Sequence, residues 1–304
     1  MRSKCLVIFL LPLVTGFNIK LLCQIDTDKP NLNLEFDGEE ENVVTELERI
    51  TFGITDDQIK ECLRIYLGER PLDVFFRSPT PWDDLYRRKR WKQVEKSLVA
   101  KRGKVVRIIT QPVKFSRRIL ENKTPKKANV SILLTDTAEV GLSSAWIDIK
   151  KLSMRQNITY DIEIETLGTF SKFSFMSIWG QSGESTQAVR IGSTEYLQVL
   201  LSAAQTAQAQ LMATQGVMNI EIEYEASVRG NLVVNFDPPY MGHHFWGPRV
   251  ENVLNTCNVN STLIFKEIVC LCFYVNPKVV VSDLRNGKLI KEFNVPMTEE
   301  KQFN

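Results

Sequence analysis

Two segments of the chain alternate strictly between apolar and polar residues, and this period of two constrains the fold more than any other feature. They are ITYDIEIE, residues 158–165, and IEIEYEA, residues 220–226. Because successive side chains of a β-strand point to opposite faces, each segment should cover something apolar and expose a polar face. Most segments after Lys104 are rich in β-branched and aromatic residues and are separated by turn residues. The sequence therefore predicts a mainly β, elongated, antiparallel protein with long strands.

Two further segments are ambiguous between helix and strand. In ITDDQIKECLRIYLG, Thr55 precedes Gln58 at the spacing of a capping box, which predicts a short helix from about Asp56. A strand through CLRIYL is an equally defensible interpretation. The segment LSAAQTAQAQLMATQG has helical composition, but strands flank it, and we interpret it as a long strand of small residues. The expected helix content is small and belongs to an N-terminal lobe.

The N-terminal sequence MRSKCLVIFLLPLVTG is typical of a secretory signal peptide. Arg2 and Lys4 supply the positive start, and residues 5–14 form an apolar core of suitable length. Small residues place the cleavage site after Gly16, with Cys23 as the second choice. We expect an extracellular protein divided into a signal peptide (1–16), an acidic flexible arm (17–55), an N-terminal lobe (56–104) and a β domain (105–304).

Four sequons agree with secretion. Each Asn-x-Ser/Thr triplet predicts a glycosylated surface position. They begin at Asn122, Asn129, Asn157 and Asn260.

The cysteines are too few for a disulfide scaffold. Cys5 is lost with the signal peptide, whereas Cys62, Cys257, Cys270 and Cys272 remain in the mature chain. Cys270 and Cys272 alternate along one strand, so they share a sheet face and are too close to bridge easily to each other. A disulfide from one of them to Cys257 or Cys62 is one interpretation, and free buried thiols are the other.

Motifs for catalysis or metal binding are absent from the sequence, which holds only two histidines. His243 and His244 are adjacent, and neighbouring residues of an extended chain point to opposite faces, so they are poorly placed to hold one ion. We expect no enzyme activity and no cofactor. Prolines, glycines and aromatic residues instead predict a structural corner. Its residues are Pro239, Tyr240, Gly242, His243, His244, Phe245 and Trp246.

A basic run flanked by tryptophans lies at residues 87–90. It could bind an anionic surface, although an extracellular location excludes nucleic acid as the partner. Arg87, Lys89 and Arg90 also match the pattern cut by furin-type processing proteases, which predicts cleavage after Arg90. A solvated charged face is the alternative.

The segment GVMNIEIEYEASVRGNLVVNFDPPYMGHHFW, followed by a sequon-bearing turn and FYVNPKVVVSDLRNGKLI, resembles the spherulin-2A-like proteins. This group includes insect follicular-epithelium yolk proteins, and the resemblance runs from about Cys62 to Leu289. Its most specific parts are residues 242–246 and the double strand over 216–235. The group is similar in turn to the aerolysin and epsilon-toxin class of β-pore-forming proteins. That class implies an elongated fold with very long strands and a central amphipathic hairpin that joins others in a transmembrane barrel.

By position, the matching hairpin runs over residues 151–179 and turns near 167–169. A barrel satisfies the backbone of such a hairpin in lipid, and about 9–11 residues of strand are needed to cross. The resemblance implies a lipid-facing set and a lumen-facing set, and a homo-oligomer with a membrane or glycan surface as its partner. The lipid-facing set is Ile158, Tyr160, Ile162, Ile164, Phe173 and Phe175; the lumen-facing set is Asp161, Glu163 and Glu165.

Two functions follow from the resemblance. The main interpretation is a secreted, non-enzymatic structural or storage protein of the egg or its coat, built on an aerolysin-like scaffold. The alternative is a β-barrel pore-former or membrane-perturbing effector that oligomerises on membranes.

Overall fold

The structure is a computed structural model that describes residues 16–24, 31–147, 157–166 and 169–299. The chain divides into two compact units. Among the described residues, the first comprises 16–18, 37–100 and 226–262, and the second comprises 19–24, 31–36, 101–147, 157–166, 169–225 and 263–299. The signal peptide predicted over residues 1–16 lies outside the described residues except for Gly16. Among the described helices, none is long and apolar enough to cross a membrane.

Strands dominate the described chain, as the sequence predicts. The helices are α1 (Glu46–Thr51), α2 (Asp56–Leu67), α3 (Pro81–Lys89) and α4 (Val250–Thr256). The strands are β1 (Phe17–Gln24), β2 (Asn31–Asp37), β3 (Glu39–Val43), β4 (Asp73–Phe75), β5 (Glu95–Glu121), β6 (Ala128–Ile132), β7 (Thr135–Ile147), β8 (Asn157–Thr166), β9 (Thr169–Ile178), β10 (Gly183–Gly192), β11 (Leu197–Leu201), β12 (Thr206–Arg229), β13 (Val233–Tyr240), β14 (His243–Trp246), β15 (Thr262–Asp283), β16 (Leu289–Asn294) and β17 (Met297–Glu299).

The helix α2 resolves the first ambiguity of the sequence in favour of a helix. Thr55 and Gln58 form the capping box at its start, and the helix ends at Gly68, whose left-handed φ of +96° suits glycine. Ile59, Cys62 and Leu63 are buried. This helical spacing of three and four residues gives α2 one apolar face, which a strand would split between two faces.

The described strands form four sheets, and every strand pair whose register is described is antiparallel. The largest follows the order β17-β10-β7-β15-β12-β5-β3, and a four-stranded sheet follows the order β2-β1-β8-β9. Most of the second ambiguous segment, residues 206–216, lies in β12, whereas Leu201 ends β11 and residues 202–205 form the turn between the two strands. Ala207, Ala209 and Leu211 are buried at every second position. The alternating burial of a strand is therefore found here, although the amino-acid composition favours a helix.

The prediction of a loose arm over residues 17–55 is wrong for its described part. These residues form β1, β2, β3 and α1. In β1, Phe17, Ile19 and Leu21 are buried at alternate positions, so the strand contributes a full apolar face to the core. Helix α1 begins at a capping box between Thr45 and Glu48. The alternation of β1 was missed because this strand was grouped with the acidic segment that follows it, although β1 itself contains no acidic residue.

Of the two interpretations left open for Cys270 and Cys272, a disulfide or free buried thiols, the structure shows free thiols, and both are half-buried. Cys62 on α2 bonds to Cys257, which directly follows α4, and both residues belong to the first unit. Cys23 is a third free thiol. Burial raises the pKa of Cys23 to about 11, so this thiol stays protonated.

Candidate functional site

Strands β8 and β9 form the hairpin predicted from the family resemblance. They pair antiparallel without a break, from Asn157 opposite Ile178 to Thr166 opposite Thr169, and each contains ten residues. Residues 151–156 and 167–168 of the predicted hairpin, which include most of its tip, lie outside the described residues. The sequence period of two therefore becomes a regular two-stranded ribbon in the second unit.

One face of this hairpin is mainly apolar, and its apolar side chains are buried, whereas Ser171 and Ser177 on the same face are half-buried. The pairs Ile162 with Phe173 and Tyr160 with Phe175 bring side chains from both strands onto the same face. This face contains all six residues predicted to contact lipid. They are Ile158, Tyr160, Ile162, Ile164, Phe173 and Phe175, and each is buried in this structure. In this structure, therefore, the apolar residues of the alternating sequence pack into the protein core.

The opposite face of the hairpin is polar and partly exposed. Asp161 accepts a hydrogen bond from Ser174 at 2.8 Å, and Glu163 pairs with Lys172 at 3.1 Å across the two strands. Glu165 accepts a hydrogen bond from Gln24 at 2.8 Å. Met176, which is 71 % exposed, interrupts the polar surface near the end of β9. The three acids predicted to face a lumen therefore share a hydrated surface.

A buried carboxyl group lies on the sheet beneath the apolar face. Glu267 on β15 is 0 % exposed. The hydroxyls of Ser144 on β7 and Tyr160 on β8 both donate to Glu267 Oε1, and the hydroxyl of Tyr224 on β12 donates to Oε2 at 2.7 Å. The hydroxyl of Ser177 donates to Tyr160 Oη at 3.3 Å. The hairpin is thus joined to the sheet by a polar contact inside an apolar interface.

The environment of Glu267 disfavours its charged form. Burial raises the pKa of this carboxyl, and the hydrogen bonds from the three hydroxyls only partly oppose that effect. Aromatic rings enclose the region, with Trp146 and Trp179 4.9 Å apart and Trp179 and Phe265 5.5 Å apart. Hydroxyl groups therefore satisfy the carboxyl in surroundings of low polarity.

Glu267 is a functional candidate that was not predicted from the sequence, although its position in the strand pattern is a signal. In the segment FKEIVCLCF, Glu267 occupies the same period-two positions as Phe265, Val269 and Leu271, which are all buried. An acid in the apolar register of a strand is rare unless it is hydrogen-bonded, and it marks a special position.

The two histidines lie in the structural corner formed by β13 and β14 in the first unit. Met241 and Gly242 have positive φ angles of 46° and 80°, and they turn the chain. Tyr240 Oη donates to the carbonyl of Leu67 at 2.6 Å, and His244 Nδ1 hydrogen-bonds the carbonyl of Phe236 at 2.8 Å. Aromatic rings pack against one another in the corner, so its contacts are structural. The described residues contain no group of three His, Cys, Asp or Glu side chains arranged to hold a metal ion.

The basic run occupies the last turn of α3 and its C-cap. Arg87, Lys89 and Arg90 are exposed, and Arg90 is left-handed with a φ of 56°. Arg87 pairs with Asp84 at 3.3 Å. Arg87 and Lys89 lie within the helix and Arg90 follows it, and cleavage after Arg90 remains a prediction.

Three of the four sequons begin at exposed residues, namely Asn129, Asn157 and Asn260. Asn122 is the exception, since it is only 4 % exposed and its Nδ2 donates to the carbonyls of Lys126, Leu201 and Ser202. A glycan attached to this nitrogen would displace those hydrogen bonds. The glycosylation predicted at Asn122 is therefore incompatible with this fold.

Comparisons with known proteins connect this geometry to toxins. No protein-family model matches the sequence. The chain is 27 % identical over 276 residues to U-megalopygitoxin(8)-Mo15 of Megalopyge opercularis, which covers 90 % of this chain and 87 % of that protein. It is 26 % identical over 268 residues to U-megalopygitoxin(8)-Mc8 of Megalopyge crispata, with 88 % and 92 % covered. The fold is similar to that of the parasporin-2 toxin of Bacillus thuringiensis, with a TM-score of 0.55, 14 % identity, and 84 % of this chain and 100 % of that chain covered.

The fold is therefore an aerolysin-like β fold, as the sequence predicts. The relatives named above carry toxin names, and none of them is a spherulin or a yolk protein. The resemblance to spherulin-2A-like and yolk proteins thus stays a prediction from the sequence. These comparisons favour the alternative interpretation over the storage protein.

Proposed function

We propose that the chain is a secreted pore-forming or membrane-perturbing protein whose β8–β9 hairpin leaves its sheet and enters a lipid bilayer. The observation that carries this proposal is the hairpin itself. Its two strands of ten residues each have the length that a tilted transmembrane strand needs, about 9–11 residues. The register between β8 and β9 would persist during insertion, whereas the pairing of β8 with β1 would be lost and the apolar face would exchange protein contacts for lipid.

The two faces of the hairpin suit the two sides of a barrel wall. The buried face carries isoleucine and aromatic side chains, which lose little when lipid replaces the core. The other face carries Asp161, Glu163 and Glu165, which would line a water-filled lumen. A single hairpin leaves unpaired backbone groups at its two edges, so insertion requires hairpins from several copies to close a barrel. The proposal thus includes a homo-oligomer on a membrane, with a lipid or glycan surface as the attachment site.

The toxin names of the curated relatives support this proposal and give no support to a storage role. A yolk or coat protein would keep the hairpin docked permanently. The two functions therefore differ in whether the hairpin moves.

Dye-loaded vesicles and planar bilayers test the proposal directly. We expect the mature protein to release dye and to form conducting channels that prefer cations, because the lumen carries more acids than bases. Asp161→Asn together with Glu163→Gln should lower the cation preference without abolishing the channels. The control is Glu184→Gln, an exposed acid on β10 outside the hairpin, which should leave selectivity unchanged. A persistent monomer that never leaks vesicles would overturn the proposal.

A further inference from the structure

We propose that Glu267 is a pH-dependent latch on the β8–β9 hairpin: the neutral carboxyl favours the docked hairpin, and the ionised carboxylate favours its release. This inference rests on the proposed function, because it names what regulates the hairpin. It predicts a protein that stays closed under mildly acidic conditions and opens as the pH rises.

The position of Glu267 supports such a role. Its carboxyl contacts three strands through Ser144 on β7, Tyr160 on β8 and Tyr224 on β12, and β9 contributes Ser177 through Tyr160. Of these partners, Tyr160 and Ser177 belong to the hairpin and would depart with it. Ser144 and Tyr224 belong to the sheet and would stay. One carboxyl therefore bridges the mobile and the fixed parts of the interface.

The groups that face Glu267 are hydroxyls. Tyr160 and Tyr224 are the titratable partners among the described residues, and both are neutral across the physiological range, since ordinary tyrosines ionise near pH 10. No described Lys, Arg or His side chain pairs with Glu267, and the neighbouring Lys266 instead pairs with Glu221 at 3.0 Å. A buried carboxylate without a cation costs free energy that hydroxyl donors only partly offset.

Undocking would change the environment of this carboxyl. With the hairpin in place Glu267 is shielded from water, whereas departure of β8 and β9 uncovers the face of β15 on which it lies. The released state would hydrate the carboxylate and return its pKa toward the ordinary value for Glu, about 4.3. The docked and released states therefore bind the proton with different affinities.

The sign of the pH effect follows from linkage. Burial raises the pKa of Glu267 in the docked state, so that state binds the proton more tightly than the released state does. Falling pH therefore favours docking, and rising pH favours release. The effect acts between the ordinary pKa of Glu and its raised value in the docked state. Within that window the docking equilibrium changes by up to about tenfold per pH unit.

A neutral carboxyl can keep the polar contacts of the latch. A protonated carboxyl donates one hydrogen bond and still accepts others, and each tyrosine hydroxyl can accept as well as donate. Protonation thus removes the charge without leaving a buried group unsatisfied. Glutamine has nearly the same shape and the same absence of charge, so Glu267→Gln mimics the protonated latch.

Hydrogen exchange measured by mass spectrometry on the soluble mature protein, without membranes, tests the latch. Amide protection in β8 and β9 is compared at several pH values from 5 to 8 after correction for intrinsic exchange rates. We expect wild-type protection to fall by up to about tenfold per pH unit inside the window, whereas Glu267→Gln keeps high protection that does not vary with pH. The matched control Glu184→Gln should follow the wild type.

Tyr160→Phe provides a second variant that keeps the charge of Glu267. It should lower hairpin protection while preserving the fall in protection as the pH rises. If Glu267→Gln does not fold, the wild-type series together with Tyr160→Phe decides the question. Wild-type protection that is constant or increases with pH, or a Glu267→Gln protein that retains the wild-type dependence, overturns the latch.

Vesicle leakage separates the latch from the proposed function. Leakage by a protein whose hairpin protection does not vary with pH refutes the latch and leaves the pore-former intact. The expected pH dependence in a protein that never leaks vesicles supports the latch and refutes the pore-former.

Discussion

Each unit of the molecule contains a completely buried glutamate, and the two glutamates are satisfied in different ways. In the first unit, Glu48 on α1 pairs with the ammonium group of Lys96 and accepts hydrogen bonds from Thr45. In the second unit, Glu267 meets only neutral hydroxyls among its described partners. Loss of one partner of a buried ion pair strongly destabilises a protein, because it leaves a buried charge uncompensated. A carboxyl that is bonded only to hydroxyls can instead take up a proton and rearrange its hydrogen bonds. The difference is consistent with the proposed movement of the hairpin in the second unit.

The covalent bonds follow the same division. The disulfide between Cys62 and Cys257 closes a long loop within the first unit, whereas the described cysteines of the second unit are free. The first unit thus combines a disulfide with a buried ion pair. The second unit depends on strand pairing and apolar packing.

The largest effect is expected when the buried ion pair is broken. Lys96→Met removes the cation and leaves the Glu48 carboxylate buried, which should lower the free energy of unfolding of the first unit by about 3–5 kcal/mol. Urea denaturation followed by tryptophan fluorescence measures this loss. Lys101→Met is the matched control on the same strand, because the pair of Lys101 with Glu225 is partly exposed and contributes about 0–1 kcal/mol. If the two substitutions had equal effects, the buried pair of Lys96 with Glu48 would be no more important for stability than the partly exposed pair of Lys101 with Glu225.

Loss of the disulfide should have the second largest effect. Replacing Cys62 and Cys257 by serine should destabilise the first unit by about 2–5 kcal/mol, because the unfolded chain regains the freedom of a long loop. The control is Cys270→Ser, which changes a free thiol in the second unit. Hydrogen exchange should show the loss of protection in α2 and α4 and unchanged protection in β8 and β9. A loss that is greater in the hairpin would contradict the division between the two units.

A smaller effect should follow from overpacking the second unit. A Cβ at Gly216 on β12 would overlap the ring of Phe273 on β15, so Gly216→Ala should cost about 1–3 kcal/mol. Gly183→Ala is the matched control, since a Cβ at Gly183 meets nothing within 4 Å. Thermal denaturation of both variants measures the difference. A neutral Gly216→Ala would show that packing between β12 and β15 is looser than the structure indicates.

Periodicity predicted the parts of the fold in which one signal dominates. The alternation over residues 158–165 predicted β8 and the face that it buries, whereas the capping-box spacing predicted the start of α2 only as one of two equal interpretations. Composition misled where it was used instead of periodicity, as in β1, whose apolar alternation lies within a segment described as an acidic arm. The sequence contains no local signal for the partner of Cys62, because Cys257 is 195 residues away.

The candidate site was predictable only in part, for the same reason. The apolar face of the hairpin repeats every two residues and is visible in the sequence. The contact of Tyr160 with Glu267 joins residues on β8 and β15 that are far apart in the chain, and it depends on the order of strands in the sheets. The place of Glu267 in the alternating pattern indicates that it is buried, but only the tertiary structure shows which strand supplies its partner.

Quenching by spin-labelled lipid shows whether the apolar face of the β8–β9 hairpin moves from the protein core into lipid. A fluorophore is attached to a cysteine placed either at Ile162 on the buried face or at Glu163 on the polar face. In vesicles that contain nitroxide-bearing lipids, we expect strong quenching at position 162 and weak quenching at position 163, and no quenching at either position without vesicles. Equal quenching at both positions, or none at position 162 in vesicles that leak, would contradict the account.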